Sequence, residues 1–149
     1  MDKRKFALED FKVNVRIKLS ALWASVMFCY IYGDYFELYV PKKVEGLLSG
    51  NNLLNSPAKL FGATIMLTIP ALMIFLSLIL RAKISRLLNI ILGLLYTALM
   101  SLIAIASIVS NNKWLFFYVF LAILESIITL IIIRYAWTWK KNESDIKLK

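Results

Sequence analysis

Four apolar stretches divide the chain, at residues 19–39, 58–80, 87–109 and 114–137. Each reaches the roughly 20 residues that carry a helix across about 30 Å of hydrocarbon. In the second and third, apolar residues occupy every helical face, with no charged stripe to meet water, which sets them apart from the amphipathic helices of a soluble bundle. The first is the least apolar, because Asp34 and Glu37 stand in its last third. It follows basic residues, as a signal peptide would. It is too long for one, though, and Phe28, Tyr30, Ile31 and Tyr32 occupy the place of small cleavage-site residues. It is therefore read as a retained span. The pattern predicts an all-α integral membrane protein, an antiparallel four-helix bundle in a single membrane domain covering residues 1–149.

The connections differ in kind. The second, Arg81 to Arg86, is tight and basic, and the third, Ser110-Asn111-Asn112-Lys113, is equally short. The first is longer. Pro41 can open a short helix over 41–49, with Val44, Leu47 and Leu48 on one face and Gly50 to end it. This piece is expected to lie on the outer membrane surface. Ser56-Pro57 reads as the N-cap and first turn of the next span. Residues Phe11 to Lys18 alternate apolar and polar, yet Leu8, Phe11 and Val15 share a helical face. Beside a bilayer, a basic interfacial helix is favoured there. From Asn142 the tail is short and polar.

Composition strengthens the membrane reading. The chain is 60% hydrophobic, against about 45–50% in soluble domains, and its mean hydropathy is +0.72. The net charge is +9, from 18 Lys+Arg and 9 Asp+Glu. These charges flank the apolar runs, which suits anionic lipid at a bilayer surface and not nucleic acid. Their distribution also orients the chain. Lys3, Arg4, Lys5, Lys12, Arg16 and Lys18 precede the first span, Arg81, Lys83 and Arg86 join the second to the third, and Arg134, Lys140, Lys141, Lys147 and Lys149 end the chain. The opposite side holds Lys42, Lys43, Lys59 and Lys113. Positive residues favour the cytoplasm, so both termini and the basic connection are expected there, in a multi-pass protein of the cell (inner) membrane. Trp137 and Trp139 then anchor the inner face, and Trp114 and Tyr118 the outer.

Two absences narrow the chemistry. Cys29 is the single cysteine, so paired-thiol oxidoreductase chemistry is excluded. There is no histidine, which removes Ser-His-Asp and Cys-His nucleophiles, His-ligated haem and ordinary His-based zinc sites. No catalytic constellation, metal site or cofactor is predicted.

The polar residues inside the spans are the candidates for a site. Glu125 lies about 16 Å along its helix from Trp114, near the middle of a bilayer. An ionisable group at that depth costs several kcal/mol unless it is paired, hydrated or neutral. No Lys or Arg shares its depth, since Arg134 is about 13 Å further on. Tyr118, Ala122, Glu125 and Thr129 share one face, expected to point into the bundle. Glu125 is then either a proton or cation site, or a neutral acid making one interhelical hydrogen bond. Asp34 and Glu37 stand one turn apart, with Tyr30 on the same side. Such a pair can bind a cation or share a proton, or Glu37 sits at the outer interface while Asp34 bonds a nearby tyrosine. Pro70 interrupts the second span and frees the carbonyl of Met66, which Thr64 and Thr68 can help to satisfy. Gly93, Thr97 and Ser101 form a small-residue seam that would serve a bundle or a homodimer. Tyr96 beside it is placed to reach an acid of the first or fourth span. The candidate polar cavity thus comprises Glu125, Asp34, Tyr30, Tyr96 and Thr129.

The segment Arg16-Ile17-Lys18-Leu19-Ser20-Ala21-Leu22-Trp23, continuing through Val26-Met27-Phe28, Tyr30, Tyr32 and Asp34, resembles the first span of a family of small four-span bacterial membrane proteins without assigned function. That resemblance implies four spans and a bacterial membrane, and no activity. The architecture is also similar to the DoxX-like four-helix membrane proteins, some of which are linked to redox partners. It is similar in size to small multidrug transporters, although their membrane-embedded Glu is in the first span and Glu125 is in the fourth. The reading is a non-enzymatic or accessory membrane protein. The alternatives are a proton- or cation-coupled small-molecule transporter that uses the mid-membrane acids, and a DoxX-like redox-associated subunit.

Overall fold

A computed structural model describes residues 12–139, all helix, turn and loop, with no strand among them. Four long helices are present: α1 (Val15–Glu37), α3 (Pro57–Ile79), α4 (Ala82–Val109) and α5 (Phe116–Trp137), with the short α2 (Lys43–Leu48) between the first two. Each long helix is long and apolar enough to cross a membrane.

Local chemistry explains the helix ends. The side chain of Asn14 caps α1 by accepting the Arg16 N–H at 2.9 Å. The helix therefore starts at Val15, and its first turns absorb Arg16 and Lys18. This replaces the separate interfacial helix expected across 11–18, since residues 12–14 are not helical. Leu8 and Phe11, the other residues of that expectation, lie outside the described residues, as does the tail from Asn142. Ser56 caps α3, accepting the Lys59 N–H at 3.3 Å, and Pro57 is the first helical residue. Only Leu80 and Arg81 separate α3 from α4, so Lys83 and Arg86 belong to the first turns of α4 and not to a loop. Asn111 turns the next connection with φ 51°, a conformation that asparagine tolerates. A 3-10 turn, Lys113–Leu115, then leads into α5. Gly50 follows α2 at φ +74°, where a Cβ would be strained.

Consecutive long helices run in opposite directions. Arg16 near the start of α1 donates to the carbonyl of Leu78 near the end of α3 (2.7 Å), and Arg86 near the start of α4 donates to that of Trp137 at the end of α5 (3.0 Å). Both arginines satisfy carbonyls that a helix C-terminus leaves open. The Arg16 guanidinium also lies 5.7 Å from the Trp139 ring centroid, and Lys18 5.1 Å from that of Tyr135. This is the basic end of the molecule.

The core draws on all four long helices: Leu19, Trp23 and Val26 of α1, Met73 of α3, Tyr96 and Met100 of α4, and Ala122, Ile132 and Ala136 of α5. Packing is closest between α4 and α5. A Cβ added at Gly93 would stand 2.7 Å from Ile133 Cγ1 and 3.5 Å from the Thr129 carbonyl. One turn on, the hydroxyls of Thr97 and Thr129 meet at 2.7 Å. The small-residue seam is thus occupied within the chain at Gly93 and Thr97, while Ser101 is exposed.

Candidate functional site

Near the basic end the interior is polar and closed. Asn89 is fully buried. Its carbonyl oxygen accepts the Trp23 indole N–H at 2.8 Å, and its amide donates to the Ser85 carbonyl at 2.8 Å and to the Ser77 hydroxyl at 3.3 Å. The Ser85 hydroxyl in turn donates to the Ser77 carbonyl at 3.3 Å. This cluster ties α1, α3 and α4 together with its hydrogen bonds made internally. Its signal in the sequence is a lone amide inside an apolar run.

Midway, Pro70 leaves α3 unbroken but deprives the Met66 carbonyl of its helical partner. The hydroxyl of Tyr96 on α4 takes its place at 2.5 Å. Thr64 and Thr68 bond the carbonyls of Leu60 and Thr64 instead, one turn back along their own helix. Tyr96 is therefore committed to a backbone carbonyl, not to an acid.

Away from the basic end the helices enclose a cavity of about 220 Å³. Its polar wall comes from two helices: Cys29, Tyr30 and Asp34 of α1, and Tyr118 and Glu125 of α5. The spacing explains the grouping, because Tyr30 and Asp34 are one turn apart on one face, and Tyr118 and Glu125 are two turns apart on another. The rest is apolar, with Met66 and Leu67 of α3, Met100 and Ile103 of α4, and Leu54 from the loop after α2. The cavity runs from exposed Asp34 to Glu125, which is 3% exposed.

Two features of this wall stand out. Among the described residues the single ion pair joins Lys43 to Glu37, so neither Asp34 nor Glu125 has a cation in direct contact. The hydroxyl of Tyr30, a residue 8% exposed, is the buried side-chain polar atom left without a hydrogen bond among the described residues. Tyr118 differs, since its hydroxyl donates to Glu37 at 3.0 Å. Glu37 thus receives both Tyr118 of α5 and Lys43 of α2, which ties the cavity wall at Tyr118 to the ends of α1 and α2.

Of the residues singled out in the sequence, the fold brings Glu125, Asp34 and Tyr30 to one cavity. Tyr96 and Thr129 stand elsewhere, the first on the Met66 carbonyl and the second in the α4–α5 seam, where it also bonds the backbone carbonyl of Glu125 at 3.0 Å.

No curated protein and no solved structure matches the chain, and nothing in the comparisons links it to the DoxX-like proteins. Residues 7–145 match a family described as one of unknown function, DUF6326. With all but the two extremities of its sequence inside that match, the chain belongs to DUF6326.

Proposed function

We propose that this chain is an antiparallel four-helix bundle of the cell membrane that exchanges protons for a small cation through its cavity. The distribution of apolar groups supports insertion. Large side chains such as Phe28, Leu94, Leu102 and Phe120 are more than half exposed on all sides, while the interior holds Asn89, Ser77, Ser85 and Thr129. Water would not tolerate an apolar surface of that extent, whereas lipid is its natural solvent. The basic end faces the cytoplasm and its anionic lipids. α2, with Val44, Leu47 and Leu48 exposed, rests on the outer surface.

The observation that carries the reading is the meeting of Asp34 and Glu125 in one cavity with no Lys or Arg on its wall. A carboxylate at this depth needs a positive partner, either a proton or a cation. When a monovalent cation enters, one carboxyl proton leaves to water and the site keeps its charge. The groups that take part in this balance are Cys29, Tyr30 and Asp34 on α1 and Tyr118 and Glu125 on α5, with the Glu37–Lys43 pair bonded to Tyr118. α3 and α4 offer thioether and aliphatic groups.

The test uses the full chain in liposomes holding a pH dye, with imposed gradients of Na⁺, K⁺ or methylammonium. At least one gradient should drive counter-movement of protons. Glu125→Gln, which keeps the shape and removes the titration, should fold and lose that flux. Absence of flux from wild-type protein, or unchanged flux in a folded Glu125→Gln variant, refutes the reading.

A further inference from the structure

We infer that the cation seated in this cavity is a protonated primary or secondary amine with a compact apolar body, held by Asp34 or Glu125 and by the hydroxyl of Tyr30. The inference rests on the exchange reading above and names the chemical class that the wall selects.

A bare metal ion is a poor match. Hard cations gather about six or more oxygen ligands. Here no three acidic, cysteine or histidine side chains come together among the described residues, and the wall's side-chain oxygens are those of the Asp34 and Glu125 carboxyls and the Tyr30 and Tyr118 phenols. The remaining surface is Met66, Leu67, Met100, Ile103 and Leu121, which repays contact with carbon and gives nothing to a hydrated ion. An ammonium group on an apolar body satisfies both parts. Its charge meets a carboxylate, its body meets the thioethers and aliphatic side chains, and the rings of Tyr30 and Tyr118 add cation–π attraction.

The unpartnered Tyr30 hydroxyl narrows the class further. Burying a hydroxyl without a partner is unfavourable, and pairing it restores the loss. A primary or secondary ammonium has more than one N–H, so it can donate to a carboxylate and to Tyr30 together. A quaternary ammonium has none. The cavity, about 220 Å³, is below the roughly 300–1,000 Å³ of sites for drug-sized ligands, so the body is small, of the order of one ring.

The test compares benzylammonium with benzyltrimethylammonium, by calorimetric titration of the detergent-solubilised full chain and by flux in the same liposomes. Wild type should bind benzylammonium more tightly than the quaternary ion. Tyr30→Phe should weaken benzylammonium by about ten- to a hundredfold, the worth of one charge-assisted hydrogen bond, and leave the quaternary ion unchanged. Glu125→Gln should weaken both. Circular dichroism and gel filtration establish that each variant is folded; if Tyr30→Phe is not, the wild-type preference between the two amines decides the matter. Glu125-dependent flux driven by Na⁺ or K⁺ without binding of either amine overturns the amine assignment and leaves the exchange reading standing. Loss of all Glu125-dependent flux removes both. Equal binding of the two amines, or a folded Tyr30→Phe variant that binds benzylammonium like wild type, overturns the role of the hydroxyl.

Discussion

Replacing Asn89 by leucine is the sharpest probe of what holds α1, α3 and α4 in register. The substitution keeps the number and branching of side-chain heavy atoms and suits an apolar helix, so hydrophobicity alone predicts a neutral or favourable change. The hydrogen bonds predict the opposite. Asn89 accepts the indole N–H of Trp23, a fully buried residue, and donates to Ser85 and Ser77, both fully buried. Removing the amide strands the Trp23 N–H and loosens the Ser77–Ser85 link. A buried donor left without a partner costs about 1–3 kcal/mol. Interhelical bonds in membranes average nearer 0.6 kcal/mol, with a maximum of about 1.7. Taking the indole bond as the main loss and the serine contacts as minor ones gives about 2 kcal/mol. The assay is reversible unfolding in mixed micelles, followed by Trp fluorescence and far-UV circular dichroism. A cycle with Trp23→Phe isolates the indole bond, and the double variant should recover about 1 kcal/mol of the summed single losses. An Asn89→Leu protein as stable as wild type would refute the reasoning, because it would mean the indole finds another acceptor at no cost.

Other expectations follow from the same geometry. Tyr96→Phe should destabilise by about 1–2 kcal/mol by orphaning the Met66 carbonyl, and Pro70→Ala should remove most of that cost by restoring the helical N–H; unfolding of the single and double variants measures both. Gly93→Leu should impair assembly of the α4–α5 pair far more than Ile105→Leu at an exposed position, as read by yield of monodisperse protein and unfolding midpoint. On a Cys29→Ser background, a cysteine at position 81 should react with an impermeant maleimide only after the cells are opened, and one at position 111 should react in intact cells. Under the proposed exchange, Tyr118→Phe should leave the fold intact and alter the rate of flux, since it releases Glu37 from α5 while Lys43 still holds it; stopped-flow measurement in liposomes reports this.

The helices and the candidate acids were legible in the sequence to different degrees. The apolar runs locate all four long helices, but charge obscures their ends. Their charge assigns Arg16 and Lys18 to a separate interfacial helix and Lys83 and Arg86 to a connection, yet they sit in the first turns of α1 and α4. Their long side chains reach past the helix end, and Arg16 and Arg86 bond carbonyls of the neighbouring helices. For the cavity, periodicity placed Tyr30 with Asp34, and Tyr118 with Glu125. That both pairs face one space depends on how far α1 slides against α5, which no single helix encodes. The freed Met66 carbonyl follows from Pro70 alone, whereas Tyr96 as its partner depends on the register between α3 and α4. Asn89 carries no local pattern that names its partners, although an isolated amide in an apolar segment demands one. The vacant hydrogen-bonding capacity of Tyr30 is a property of three dimensions only.

Pro70 and its tyrosine clasp divide α3 mechanically. Towards the basic end, Met73 and Ser77 are locked into the buried interior. Towards the other end, Ala63, Met66 and Leu67 form one wall of the cavity. A helix is most compliant where a backbone hydrogen bond is missing, and here the missing bond lies between the anchored half and the wall. Any bending of α3 is therefore concentrated at a pivot that the Tyr96 hydroxyl holds in place. The two halves of α3 are thus tied to the rest of the fold by different bonds, the wall through the Tyr96 phenol and the anchored half through the Trp23–Asn89–Ser77 cluster.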